Sequence, residues 1–333
     1  MMVQDLLTSA PSLGTFAFFF ITAVAFMFVI LGFVTFAILA ERKVMGYMQL
    51  RHGPNQLGGH FGLLQTVADV LKLLIKEDTV PAMADKPLFK LAPMIAFAPA
   101  MMVVAVVPFT DKLQFADLGI GLLYYIAVSS LSTVGVLAAG WASNNKYSLL
   151  GGMRAGAQMI SYEVPLVMSV IGVVLLSGSL NLNEIVAGQE GLWNIIKQPV
   201  AFIIFFIAAV AELNRVPFDL SEAESELVAG FHVEYSGFRW AFFMLSEYVY
   251  MFAMAALTVV LFLGGWHALP FLDVIPGAIW FALKWFAVTF FLIWVRVTLP
   301  RLRADHLMEF GWKVLLPLAL VNIFVTALLL KIM

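Results

Sequence analysis

The chain has 333 residues, of which 62% are apolar and only 12% charged. Soluble domains carry charge on about a quarter of their residues, so a soluble fold is excluded. The formal net charge is −2 and there is no cysteine, which excludes disulfides and any iron–sulfur cluster held by thiolates of this chain.

Eight apolar segments are long enough to cross a bilayer as helices, each needing about 20 residues. They cover 13–39, 91–109, 118–142, 155–179, 192–213, 240–263, 275–295 and 314–330. The fifth is the weakest, because its charge-free stretch is short. The runs are continuous rather than alternating, which rules out a transmembrane β-barrel. The predicted fold is an all-α integral membrane protein. It is a single domain over 1–333, a bundle of eight transmembrane helices with an amphipathic interfacial helix and cytoplasmic loops near 40–90, 143–155, 212–239 and 296–313. No Lys or Arg precedes the first span, only Asp5, so it reads as an anchor rather than a signal peptide. Of the 19 Lys and Arg, all but Lys112, Lys197, Lys284 and Lys331 fall in those four loops. The excess of cations on the inner side then puts both termini outside and the long loops in the cytoplasm.

The first inner loop opens with Glu41, Arg42 and Lys43 and reaches Arg51 before the turn Gly53-Pro54-Asn55. Cations at a helix exit read equally well as snorkelling membrane anchors and as parts of a site. Over 60–76, Phe61, Leu64, Ala68, Leu71 and Ile75 recur at helical spacing opposite Gln65, Asp69, Lys72 and Lys76. This is an amphipathic helix, either an interface anchor or a cavity wall.

The loop 212–239 is acidic where a positive-inside loop should be basic. Glu212, Asp219, Glu222, Glu224, Glu226 and Glu234 face only Arg215 and Arg239. Ser221 with Glu224 resembles a helix-capping box, and acidic loops are often simply solvated. Yet Phe218, Leu220, Leu227, Phe231, Tyr235 and Phe238 interleave with the acids, which points to a packed, partly desolvated segment able to hold exchangeable protons. Within the spans lie Glu163, Glu247 and Lys284. Each such charge costs at least about 2.5–3.5 kcal/mol and should face a cavity or a partner. A static Glu163–Lys284 pair is one arrangement that would satisfy both. The five histidines read as lying in loops, so no His pair faces another across the bundle to hold a haem. No phosphate loop or dinucleotide-binding glycine fingerprint occurs.

Several long stretches carry a resemblance. They are Glu41-Arg42-Lys43-Val44-Met45-Gly46-Tyr47-Met48-Gln49-Leu50-Arg51-His52-Gly53-Pro54-Asn55, Lys76-Glu77-Asp78, Gly140-Trp141-Ala142-Ser143-Asn144-Asn145-Lys146-Tyr147 and Ser161-Tyr162-Glu163. With them go Glu212-Leu213-Asn214-Arg215-Val216-Pro217-Phe218-Asp219, Glu222-Ala223-Glu224-Ser225-Glu226-Leu227, Glu234-Tyr235-Ser236-Gly237, and the run from Leu299-Pro300-Arg301 to Asp305. Across essentially its whole length the chain resembles the H-subunit family of bacterial respiratory complex I, the counterpart of mitochondrial NADH dehydrogenase subunit 1. Membrane-bound hydrogenase subunits share the architecture and part of the first motif.

The resemblance implies a membrane-arm subunit of a proton-pumping NADH:quinone oxidoreductase in the bacterial inner membrane. It would sit beneath the hydrophilic arm and form much of the quinone tunnel. Glu41, Arg42, Arg51, the amphipathic helix and Phe231 would frame that tunnel. Glu163, Glu212, Asp219, Glu222, Glu224, Glu226, Glu234 and Glu247 would carry protons into the membrane arm. Quinone would be substrate and the chain itself would bind no cofactor, with FMN and iron–sulfur clusters on partner subunits. The expected partners are the other subunits of both arms, quinone and membrane lipid, with no nucleic acid. The alternatives are the equivalent hydrogenase subunit, a stand-alone secondary transporter of a cation or organic acid, and a structural scaffold.

Overall fold

The computed structural model describes residues 13–59, 61–111, 113–221, 224–268 and 275–332. His60, Lys112 and Glu222 lie outside these residues, as does the side chain of Glu224. The helices in chain order are α1 Leu13–Met48, α2 Gln65–Ile75, α3 Lys86–Val104, α4 Gly121–Ser129, α5 Leu131–Ala142, α6 Lys146–Ser177, α7 Leu182–Ala187 and α8 Asn194–Lys197. They continue as α9 Pro199–Glu212, α10 Glu224–Leu227, α11 Gly237–Phe262, α12 Gly277–Thr298, α13 Ala304–Phe310 and α14 Leu316–Ile332. No strand occurs among the described residues.

Among the described residues, seven helical stretches are long and apolar enough to cross a membrane: Gly14–Met48, Lys86–Val104, Gly121–Ala142, Lys146–Ser177, Gly237–Phe262, Gly277–Thr298 and Ala304–Ile332. Each falls on one of the expected segments. The remaining expected segment, the fifth (192–213), holds α9, whose 14 residues reach only about 21 Å against about 30 Å of hydrocarbon. In the last span a π turn over Gly311–Leu315 joins α13 to α14.

Helix α11 is the axis of the bundle. Its apolar window is 78% buried, whereas that of α1 is 11% buried, so α1 forms an outer wall. Helix α11 packs on α1, α3 and α12, while α6 packs on α5, α9 and α14. The turn Gly230–His232 lies across α6. There a Cβ on Gly151 would come within 2.6 Å of the Gly230 Cα, so only glycine allows this approach of helix to loop.

Three expectations about boundaries need correction. Helix α1 continues to Met48, because nothing in 40–48 breaks it, and its end coincides with the left-handed Leu50 (φ 54°). Glu41, Arg42 and Lys43 are therefore helical rather than part of a loop. Helix α2 begins at Gln65 rather than near 60, and Phe61, Leu64, Leu71 and Ile75 are exposed on the isolated chain. His306 lies in α13, at the head of the last span, and not in a loop.

Candidate functional site

The C-terminal ends of α1 and α12 and the N-terminal half of α11 converge with the loop after α9 on a buried row of charges. Arg215 is 2% exposed. Its Nη1 donates to Glu41 Oε2 at 3.1 Å, and its Nε lies 2.8 Å from Glu247 Oε1. Arg296 Nη1 donates to Glu41 Oε1 at 2.5 Å and lies 3.8 Å from Glu247 Oε1. The Tyr248 hydroxyl donates to Glu41 Oε2 at 3.1 Å, and the Arg215 guanidinium covers the Tyr248 ring at 4.7 Å. Two carboxylates and two guanidiniums share this space, so the row is neutral as a unit. Burial disfavours the Arg215 cation, but Glu41 and Glu247 more than offset it and hold its pKa above the ordinary value.

Glu247 has a second face. It lines an internal cavity of about 60 Å³ together with Glu212, Asn214, Ser132, Ser246 and Tyr250, with Phe231 in the wall. One enclosed water needs about 10–15 Å³, so there is room for a few. Glu163 on α6 lies within electrostatic reach of Glu212, and Tyr125 and Tyr250 act on the same carboxylate. Two of the predicted proton-path acids, Glu212 and Glu247, thus line one chamber, with Glu163 acting on Glu212, and Glu247 links the chamber to the charged row.

The other predicted acids sit in separate contacts. Asp219 is buried and pairs with Arg301 Nη2 at 2.9 Å. Glu226 is exposed and pairs with Arg154 at 2.6 Å. Glu234 accepts from Asn145 Nδ2 at 2.6 Å. None of these three lines the cavity. Glu222 and the Glu224 side chain lie outside the described residues. His232, in the Gly230–His232 turn, is buried, and burial pushes its pKa down to about 4.

The predicted tunnel residues separate along the helix surface. Glu41 points into the charged row, while its neighbour Arg42 points outward and donates from Nη1 to Asp69 Oδ2 on α2 at 2.5 Å. Arg42 and Asp69 line an open groove of about 340 Å³ with Lys72, Leu73, Lys76, Tyr235, Ser236 and Trp240. Burial raises the pKa of the Tyr235 phenol, which keeps it a neutral donor, with its hydroxyl on the Phe89 carbonyl at 3.2 Å. Arg51 is exposed and donates from Nε to Gln49 Oε1 at 2.8 Å; it joins neither the groove nor the cavity.

Lys284 does not pair with Glu163. Its Nζ donates to the main-chain carbonyls of Leu263, Gly265 and His267, because the helix places it beside the end of α11, away from the acids. Sequence reasoning missed Tyr248 and Arg296 as members of the row and Asn214, Ser132 and Tyr250 as lining of the cavity. Arg296 carried a signal, since it sits between Val295 and Val297 next to Trp294, an apolar setting for a loop cation.

A profile of the NADH dehydrogenase family matches residues 21–327. The NADH-quinone oxidoreductase H-subunit of Anoxybacillus flavithermus is 74% identical over 327 residues, 98% of either chain. The corresponding H-subunits of a Geobacillus species and of Bacillus cytotoxicus are each 73% identical over 328 residues, again 98% of either chain.

Proposed function

The chain belongs to the NADH dehydrogenase family, as a multi-pass membrane subunit of an NADH-quinone oxidoreductase, and from that premise we propose that it couples quinone chemistry to proton movement. Reduction of a quinone takes two electrons and two protons. The chain has no cysteine, so the electrons arrive from clusters and flavin on partner subunits. Its own contribution is to protons and to the quinone path.

The observation that carries this reading is the double engagement of Glu247, which meets Arg215 at 2.8 Å and also lines the cavity with Glu212. A change of charge beside Glu41 or Arg42 alters how Arg215 and Arg296 divide between Glu41 and Glu247. The carboxylate freed or clamped on the cavity side then changes its hold on a proton, and Glu212 and Glu163 feel it through a low-dielectric interior. The groove at Arg42, with apolar Leu73 and Trp240 beside cations, suits the approach of a lipid quinone whose carbonyls need donors. Phe231 would meet the path at the wall of the cavity, and Arg51, which joins neither groove nor cavity, would frame its mouth at the loop. Asp219, Glu222, Glu224, Glu226 and Glu234 would extend the acidic route at the cytoplasmic face, with both chain termini on the other side.

The test is the ratio of pumped protons to electrons in vesicles holding the assembled complex, with subunit content checked. Glu247→Gln and Glu163→Gln conserve shape and remove a titratable site. Quinone reduction and pumping should fall together, or pumping should fall further. Wild-type turnover with an unchanged ratio in both variants overturns the reading. A reporter fused after Met333 should read outside, and one inserted in 221–226 should read cytoplasmic.

A further inference from the structure

Lys284 sits in a cage of main-chain oxygens. Its Nζ donates to the carbonyls of Leu263 at 2.6 Å, Gly265 at 3.0 Å and His267 at 2.6 Å, and lies 4.1 Å from the Trp193 ring centroid. Three acceptors use three N–H bonds, which only the protonated amine possesses. The backbone is shaped for this cation. Gly264 and Gly265 follow α11 with φ of 70° and 52°. A Cβ on Gly264 would lie 2.6 Å from the Trp193 ring, and one on Gly265 would lie 2.7 Å from Val186. The wall of the cage is fixed by buried amides. Gln189 Oε1 accepts from the Gly264 and Asn194 main-chain N–H groups, and Asn194 Nδ2 donates to the Leu261 carbonyl.

Among the described residues this cation has no counter-ion. Its partners are carbonyls and a ring, whereas buried Arg215 pairs with two carboxylates. Glu190 acts on the neighbouring His267 ring, whose pKa burial pushes below its ordinary value, so the imidazole adds no charge near neutral pH. Lys284 also stands at the far end of the bundle from the acids. It lies about 18 Å along α12 from Arg296, and Leu263 lies about 24 Å along α11 from Glu247.

We propose that Lys284 is a fixed positive charge that closes this end of the subunit to protons. Helix α9 is too short to fill the membrane depth, and before it α7, α8 and their connection pack against the end of α11, where Gln189, Asn194 and Gln198 are buried. A polar filling of that kind is a path along which protons could escape from the acid-lined chamber. A caged ammonium at its end repels them, since an unneutralised charge reaches furthest where water is excluded. This role builds on the reading above, in which the interior acids carry protons.

The assembled complex, reconstituted in vesicles with a trapped pH dye and no NADH, reports passive proton flux after a pH jump. Lys284→Met removes the charge. Lys284→Gln removes it but still donates to the carbonyls, which separates charge from stapling. Both should raise the flux per complex about tenfold, the factor that about 1.4 kcal/mol of barrier supplies, with the NADH–quinone reductase rate unchanged. Lys284→Arg should match wild type. Wild-type flux in both neutral variants overturns the proposal. So does failure of both to assemble, which would assign the charge to folding. Wild-type flux here with lowered pumping in Glu247→Gln defeats only the barrier. Raised flux here with normal pumping in Glu247→Gln and Glu163→Gln defeats only the coupling.

Discussion

Arg215 and Glu41 stand 174 residues apart in the chain and meet at 3.1 Å with both side chains buried. Arg215 also serves Glu247, so one guanidinium ties α1, α11 and the loop after α9 together. Removing one partner from a buried ionic group costs about 3–5 kcal/mol, because the charge left behind is uncompensated. Arg215→Met should therefore lower the content of assembled complex in the membrane and its thermal inactivation temperature. Glu41 keeps Arg296 at 2.5 Å while Glu247 keeps it only at 3.8 Å, so adding Glu247→Gln removes the stranded carboxylate and should recover much of that loss. A double variant no better than the single one would show that packing over Tyr248, rather than charge balance, is what Arg215 supplies.

Gly151 offers a purely steric test. The atoms nearest to an added Cβ are main-chain atoms of Gly230 and Phe231, at 2.6–2.8 Å, so relief requires the loop to move off α6. Gly151→Ala should cost about 1–3 kcal/mol, the range for overpacking, and should displace Phe231 from the cavity wall. Limited proteolysis of the complex should show earlier cleavage in 221–236 than in wild type. An unchanged cleavage pattern would place the helix–loop approach elsewhere.

The spans are legible in the sequence because hydrophobic length is a local property, readable in any window of the chain. The expense of Glu163, Glu247 and Lys284 is legible for the same reason. Partnerships are not. Arg215 and Arg296 look like cations at membrane exits, and their meeting on Glu41 depends on contacts 174 and 255 residues apart that no periodicity encodes. In sequence Lys284 wants a carboxylate, whereas in the fold it finds carbonyls, which every residue possesses; only the pair Gly264-Gly265 hints at a backbone turned to one point. Glu41 and Arg42 read as neighbours in a loop. In a continuous helix adjacent residues point about 100° apart, and so they serve different sites.

Arg42 and Asp69 form a solvent-facing pair at 2.5 Å with side chains 45% and 32% exposed. Such pairs contribute about 0–1 kcal/mol, so Arg42→Ala should leave assembly intact. If the groove is a quinone path, the loss of one charged donor, worth about 1.5 kcal/mol, should lower kcat/KM for quinone about tenfold and change sensitivity to quinone-site inhibitors. NADH oxidation with an artificial acceptor should be unaffected. A normal KM and kcat for quinone would make Arg42 a membrane anchor.

The last prediction concerns pH and His232. The ring lies in the turn Gly230–His232, edge-on to Phe231 with centroids 5.0 Å apart, and burial lowers its pKa to about 4 from an ordinary value near 6.5. The native turn therefore holds the ring neutral, while the opened turn lets it bind a proton below about pH 6.5. The opened form binds more protons over this interval, so stability rises with pH there and falls on acidification. This contribution is fully present above pH 6.5, declines as the pH drops, and is lost by about pH 4, where the native ring also protonates. At pH 5 the loss is at most about 2 kcal/mol, from the displacement below 6.5 at about 1.36 kcal/mol per pH unit. Thermal inactivation of quinone reduction by the assembled complex, followed from pH 7.5 to 5, should show the half-life shortening below 6.5. His232→Gln keeps a neutral polar side chain and cannot protonate, so its half-life should change less over the same interval. Carboxylates that do not contact the ring contribute to both proteins alike and cancel in the comparison. Parallel pH profiles for the two would show that the turn stays closed during inactivation and that the Gly230–His232 segment is not where the complex first gives way.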